Sequence, residues 1–279
     1  MPLRFPIRFA CTATLLALPA VGQEAAPAPF RYEYRDGASG AYRLAFMSAL
    51  HMDRGGTPVA TLANVQLSMR FTIVKVAEDG AATLQHECTG VNMTVEHPMA
   101  GTIELDSANA DSAEDAGMFT GVLELIGQKM SMQVDATGRC SEVSIPDRAN
   151  EALAMTGIQL DVALAQLTAP LPATAIEVGA HWTTAQEETV GQGGRVPVSV
   201  ANELRTHTGS TLTIEQRLQL DLDEVPMEAT VKHATATLEV DLTEGVPRTV
   251  RRRVELDLTA EQQGLKIQSS REMVLSRIL

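Results

Sequence analysis

The chain has 279 residues, with 22 Lys and Arg against 35 Asp and Glu, and it is 44% hydrophobic but only 4% aromatic. This hydrophobic content is enough for a folded core and excludes a disordered chain. The net charge of −13 argues against nucleic acid and against an anionic membrane surface as partners, because both attract clustered Lys and Arg.

The start of the chain is typical of a secretory signal peptide over residues 1–22. Arg4 and Arg8 supply the positive charge, an apolar stretch follows, and Ala20-Val21-Gly22 provides small residues at the cleavage site. Residues 23–29 form a short Pro/Ala tether. No later segment is long and apolar enough to span a bilayer. The sequence therefore predicts a protein exported to the periplasm or the extracellular space.

Most of the remaining chain alternates apolar and polar residues with a period of two, which is typical of antiparallel strands with one wet face. The clearest runs begin at Leu212, Ala234, Val250 and Leu265. A change of phase at Val74 indicates a β-bulge, and Asp79-Gly80 predicts a hairpin turn. We expect a mainly β fold made of two antiparallel curved sheets or half-barrels.

A helix is predicted over 147–167, where Asp147 serves as the cap, Gly157 is a point where the helix can break, and Pro170 ends it. A weaker helical pattern covers 113–127. The first helix and its Pro-rich exit (147–172) divide the chain into β-rich halves at 30–146 and 173–279. Periplasmic lipoprotein carriers are also built from a curved sheet with a helix against its concave face, which is an analogy of architecture only.

A series of short strand-and-turn signatures resembles a family of uncharacterised secreted bacterial proteins, known as a domain of unknown function. Their order along most of the mature chain carries the resemblance. They are Tyr42-Arg43-Leu44, Ala77 to Ala82, Val91-Asn92-Met93, His97 to Gly101, Leu105-Asp106-Ser107, Met130 to Gly138, Ile176 to Trp182, Val254 to Leu258 and Gly264 to Ser269. The family usually has Asp where this chain has Ala180. It implies no catalytic residue that can be transferred to this sequence.

Motifs for catalysis or metal binding do not stand out from the sequence. No pair of the six His has the i, i+4 spacing of a helical zinc site, there is no CxxC, and no G-x-S-x-G elbow occurs. We therefore predict no catalytic residue, no metal site and no cofactor, and expect the protein not to be an enzyme.

Methionine is unusually concentrated: nine of the twelve lie between Met47 and Met155. Three interpretations remain open. Met fills a core that is poor in aromatic residues, or lines an adaptable apolar cavity, or binds Cu(I) through Met93, Met99, Met130 and Met132 near His97. For the second interpretation, the candidate cavity residues are Met69, Phe71, Met93, Met130, Met132 and Arg252.

Arg252 is a candidate because it stands in the run Arg251-Arg252-Arg253 of a predicted strand, where it points to the opposite face from its neighbours. An inward Arg can meet a ligand carboxylate or a buried acid. The alternative is cross-strand pairing of the run with Glu239, Asp241 or Glu255.

Cys88 and Cys140 are the two cysteines that remain after removal of the signal peptide. An even pair in an oxidising compartment favours a disulfide, although two unrelated thiols are the alternative.

These observations predict an exported, non-enzymatic binding protein, with an apolar small molecule or a lipid as the ligand. The alternative is a cell-envelope interaction or scaffold protein without a small-molecule ligand. The third hypothesis is a hydrolase whose site is assembled from distant residues. No particular protein partner is indicated.

Overall fold

A computed structural model describes residues 28–99, 101–109, 117–146, 151, 153, 156–190, 194–223, 228–244, 246–260 and 265–278. The predicted signal peptide and the first part of the tether lie outside these residues, as does the start of the weaker helical pattern.

Within the described residues, twelve strands form one antiparallel sheet in the order β6-β5-β3-β2-β1-β12-β11-β10-β9-β8-β7, with β4 paired to β3. Their bounds are β1 Ser39–Arg54, β2 Thr57–Val76, β3 Ala82–His97, β4 Gly101–Asp106, β5 Lys129–Val134, β6 Cys140–Ser144, β7 His181–Val190, β8 Gly194–Thr208, β9 Thr211–Leu220, β10 Glu228–Asp241, β11 Thr249–Ala260 and β12 Leu265–Ile278. The prediction of a mainly antiparallel β fold is confirmed.

The two halves predicted from the sequence belong to one continuous sheet. β12 pairs with β1 over the whole length of β12, from Ala41 opposite Ile278 to Arg54 opposite Leu265. Strands from the first half therefore extend from one side of this pair and strands from the second half from the other. The connection between the halves is a ladder of backbone hydrogen bonds and not only the connector predicted at 147–172.

One face of the sheet, which we call the inner face, carries the core. On β1, Tyr42, Leu44 and Phe46 are buried, whereas Arg43, between the first two, and Met47, after the last, are exposed. This alternation follows from the strand geometry, which sends successive side chains to opposite faces. The bulge predicted at Val74 is confirmed by a shift in the β2–β3 register between Ile73 and Lys75.

The sheet is strongly curled. The Arg252 side chain on β11 forms an ion pair with Glu188 on β7, although three strands lie between these two in the sheet order. In a flat sheet the two strands would be about 19 Å apart. The contact is possible because the sheet bends until the inner face of β7 approaches the inner face of β11.

A short helix, α1 (Leu160–Ala165), contacts both of the outer strands, β6 and β7. Its own residues Leu160, Val162 and Leu164 are buried. The Gln166 side-chain amide, just after the helix, donates to the Glu187 carbonyl at 2.8 Å. A helix of this length depends on such packing for its stability. It covers the gap between the two edges of the curled sheet.

The helix predicted over 147–167 is not continuous. Gly157 has φ +77°, a left-handed conformation that interrupts a right-handed helix and that glycine adopts without strain. Glu151 and Leu153 have helical backbone before this break, and α1 follows it. The weaker pattern predicted at 113–127 corresponds to a 3-10 helix at Gly117–Leu125.

Candidate functional site

A cluster of charged side chains lies inside the curled sheet. Arg252 Nε donates to Glu188 Oε2 at 2.7 Å, and the two side chains are only 5% and 4% exposed. The guanidinium of Arg271, on β12 next to β11, approaches the other oxygen of the same carboxylate at 3.9 Å. We call Arg252, Glu188 and Arg271 the buried charge cluster.

Each of the three guanidinium nitrogens of Arg252 has a hydrogen-bond partner. In addition to Glu188, the Gln186 amide oxygen, turned toward the guanidinium, accepts from its two terminal nitrogens at 2.5 and 2.7 Å. The sequence predicted that Arg252 points inward while its neighbours point outward. The structure places it so, with Arg251 paired to Glu272 and Arg253 to Glu255 on the outer face. The partner Glu188 was missed, because nothing in the sequence brings β7 close to β11.

Arg271 is held differently. Its terminal nitrogens donate to the backbone carbonyls of Thr189, at 2.9 Å, and of Gly157. Its Nε is buried and has no hydrogen-bond partner among the described residues. Burial lowers the pKa of the Arg271 guanidinium, while Glu188 raises it and Arg252 lowers it. An unpaired buried donor on a cationic group costs free energy of folding. Arg271 has such a donor at Nε, whereas Nε of Arg252 is paired with Glu188.

The cluster lies beside a small cavity of about 20 Å³ under α1. Its apolar lining includes Phe46, Ile158, Val162, Val254 and Met273, and its polar lining consists of the cluster itself with Gln159, Gln166 and Thr189. A cavity of this size holds about one water molecule. It is far too small for a lipid chain.

Beyond the cluster, the inner face continues as an apolar surface that is only half buried. This inner strip consists of Leu50, Met52, Val59, Leu265 and Ile267. Met52 is the central residue, since it lies opposite Val59 of β2 on one side and Ile267 of β12 on the other. Paired residues in adjacent strands share a face, so the strip is continuous across three strands.

The strip and the buried charge cluster are neighbours. Arg271, Ser269 and Ile267 occupy successive inner positions of β12, and Leu50 lies opposite Ser269. The Cα atoms of Arg271 and Ile267 are about 13 Å apart along an extended strand. Arg271 therefore stands where the closed core ends and the half-open apolar strip begins.

The other predicted cavity residues belong to the core. Met69, Phe71, Met93, Met130 and Met132 are at most 1% exposed and pack in the main hydrophobic cluster. None of them lines the small cavity under α1. Of the predicted lining residues, Arg252 lies beside this cavity, and the five apolar residues are packed in the core. A charged substitution in the core, such as Met132→Glu, would disrupt folding.

The proposed copper ligands are not assembled either. Met130 of β5 lies opposite His86 of β3. His86 is seven residues from Met93 along β3, a distance of about 23 Å, and so Met130 and Met93 are far apart. Met99 is 92% exposed at the β3–β4 turn. Among the described residues, no group of three or more His, Cys, Asp or Glu side chains is arranged to hold a metal ion.

The predicted disulfide is not formed, and both cysteines are free thiols. Cys140 is opposite Val134 of β5, which in turn pairs with Ala82 of β3, six residues from Cys88. This register separates the two Cα atoms by about 20 Å, whereas a disulfide requires less than about 7 Å. Burial raises the pKa of the Cys88 thiol to about 11.

A second buried polar pair lies in the first half of the sheet. The Tyr42 hydroxyl and His86 Nδ1 are 2.8 Å apart, and the ring of His86 is fully buried. Burial lowers the pKa of His86 to about 4 and raises that of Tyr42. The pair is neutral and enclosed by the core, which makes it a structural element.

The fold defines an antiparallel β protein with a single curled, open sheet. Among the described residues, no helix combines the length and the apolar character needed to cross a membrane. No family model matches the chain, and no curated protein matches it. The family resemblance drawn from the sequence signatures therefore stays a prediction.

Comparison with solved structures finds distant likenesses. The chain is similar to lipovitellin, in a structure devoted to its lipid–protein interactions, with 13% identity and a TM-score of 0.49 over 88% of this chain. It spans only 26% of the lipovitellin chain.

Two bacterial structures are also similar. A DUF1329 family protein from Desulfovibrio piger has 8% identity and a TM-score of 0.16, over 87% of each chain. An outer membrane lipoprotein-sorting protein domain from Vibrio parahaemolyticus has 11% identity and a TM-score of 0.16, over 85% of each chain. At such low scores and identities, the function has to be argued from this chain's own residues.

Proposed function

We propose that this protein is an exported, non-enzymatic binding protein that holds an apolar molecule, with a lipid acyl chain as the first candidate, against the inner face of its curled sheet. The observation that carries the proposal is the inner strip, where Leu50, Met52 and Ile267 are half buried on the inner face of a sheet that curls on itself. Concave apolar surfaces are the usual sites for such ligands.

The small size of the internal cavity supports a ligand position on the inner strip and not inside the core. Because the cavity under α1 measures about 20 Å³, a chain cannot enter the core without displacing side chains. The inner strip already offers apolar surface to a ligand. Covering this surface is favourable at about 25 cal/mol per Å² of apolar area removed from water, and the flexible side chain of Met52 adapts to different chains.

The non-enzymatic part of the proposal is supported by how the buried polar groups are used. All three guanidinium nitrogens of Arg252 donate to Glu188 or Gln186, and His86 is enclosed in the core beside Tyr42. Groups that pair with one another inside a packed core serve to maintain the structure, and a catalytic group must instead reach a substrate.

The test is titration of the purified protein with a fluorescent fatty-acid analogue, comparing Met52→Glu with Met47→Glu. Both residues lie on β1, but Met52 is in the inner strip and Met47 is 43% exposed on the outer face. We expect micromolar binding by the wild-type protein and by Met47→Glu. Met52→Glu should bind at least about tenfold more weakly, because a carboxylate in the strip has to be desolvated.

Two results would contradict the proposal. Equal loss of binding in the two variants would show that the probe does not use the inner strip. Absence of binding to any apolar probe by the wild-type protein would favour the alternative of a cell-envelope interaction or scaffold protein.

A further inference from the structure

The buried charge cluster contains more positive than negative charge. Arg252 and Arg271 share the single carboxylate of Glu188, and the other polar side chains that line the cavity, Gln159, Gln166 and Thr189, are uncharged. One positive charge is therefore left without a carboxylate of its own in the interior, although the chain as a whole carries a net charge of −13. Burying an uncompensated charge is costly.

The surplus charge belongs to Arg271. Arg252 is the closer partner of Glu188, at 2.7 Å against 3.9 Å, and each of its two terminal nitrogens donates to the Gln186 amide oxygen. Arg271 is bound to two backbone carbonyls, which do not neutralise it, and its Nε has no hydrogen-bond partner among the described residues. Its side chain as a whole is 14% exposed while Nε is buried, so a ligand that enters from the strip meets the exposed part first and reaches Nε by a small movement of the side chain.

We infer that Arg271 is a head-group site and that the apolar ligand is a single-chain amphiphile with a monoanionic carboxylate, as in a fatty acid. The carboxylate accepts a charge-assisted hydrogen bond from Arg271 Nε, and the chain runs past Ser269 along the inner strip. One negative charge matches the one surplus positive charge. This inference rests on the proposed function, because it names the ligand class of the same surface.

The experiment compares ligands with the same chain and different head groups. A bound fluorescent probe is displaced from the wild-type protein by dodecanoate, by 1-dodecanol or by dodecyl phosphate. Each compound is used at a concentration at which it does not aggregate. We expect dodecanoate to bind at least about tenfold more tightly than dodecanol, which is the range for a hydrogen bond to a charged group. Dodecyl phosphate should bind more weakly than dodecanoate, because its second negative charge has no partner.

Variants assign the effect to Arg271. Arg271→Gln should lose the preference for the acid over the alcohol, and Arg271→Lys, which keeps the charge, should retain part of it. Arg251→Gln is the matched control, since Arg251 is 75% exposed on the outer face of the neighbouring strand β11. If Arg271→Gln does not fold, the comparison of ligands on the wild-type protein still decides whether an anionic head group is preferred.

The outcomes separate the two proposals. Equal affinity for acid and alcohol overturns the head-group site and leaves apolar binding intact, whereas binding of neither overturns both. A preference for acid that persists in Arg271→Gln shows that the head group binds elsewhere. Tighter binding of dodecyl phosphate than of dodecanoate overturns the assignment to a monoanionic carboxylate.

Discussion

Replacing Glu188 by Gln removes the single negative charge of the buried charge cluster while keeping the shape of the side chain. Glu188 and Arg252 are 2.7 Å apart and are both about 95% buried, so the charge of Arg252 cannot be screened by solvent after the substitution. Arg271 loses its neighbouring carboxylate as well. Removing one partner of a buried ion pair costs about 3–5 kcal/mol, and we expect the free energy of unfolding to fall by that amount.

Urea denaturation followed by fluorescence measures this loss. The protein has a single Trp, Trp182, whose indole N–H donates to the Pro170 carbonyl at 2.8 Å near the covered gap of the sheet. Its emission therefore reports on the opening of the region around α1. The midpoint and the slope of the transition give the free energy of unfolding.

Glu272→Gln is the matched control. Its partner Arg251 is next to Arg252 in the chain but is 75% exposed on the outer face, and exposed pairs contribute about 0–1 kcal/mol. A loss below about 1 kcal/mol for Glu188→Gln, or equal losses for the two variants, would refute the conclusion that the burial of the pair determines its contribution to stability.

Two further predictions concern the core. Because burial lowers the pKa of His86 from 6.5 to about 4, unfolding takes up a proton at intermediate pH. Stability should therefore fall by about 3 kcal/mol as the pH drops from about 6.5 to 4, and His86→Gln should flatten this part of a pH series of urea transitions. Gly138→Ala should destabilise more than Gly55→Ala in the same assay. Both glycines have positive φ, but only at Gly138 would a Cβ overlap the Tyr32 ring. Equal losses for the two alanine variants would contradict this.

Local features were predictable from the sequence wherever neighbouring residues decide them. The alternation beginning at Leu212, Val250 and Leu265 corresponds to β9, β11 and β12, and the phase change at Val74 marks a bulge. The inward direction of Arg252 follows from the same period of two. In each case the backbone geometry of a single strand fixes which face a side chain takes.

The methionine-rich composition did not reveal the nature of the interior. Met130 and Met132 have the apolar, flexible side chains that suit either a core or a cavity, and the choice depends on the volume left between elements. In the structure they are fully buried in packed core. The disulfide prediction failed for a related reason, since strand register places Cys88 and Cys140 about 20 Å apart.

The sequence by itself determined the strands, their turns and the face that each side chain occupies, because these depend on residues within a few positions of one another. Only the tertiary structure decided that β1 pairs with β12, that the sheet curls until Glu188 reaches Arg252, and that Arg271 ends up beside a half-open apolar strip. These contacts join residues far apart in the chain, and they form because a long twisted sheet must bury one face against itself.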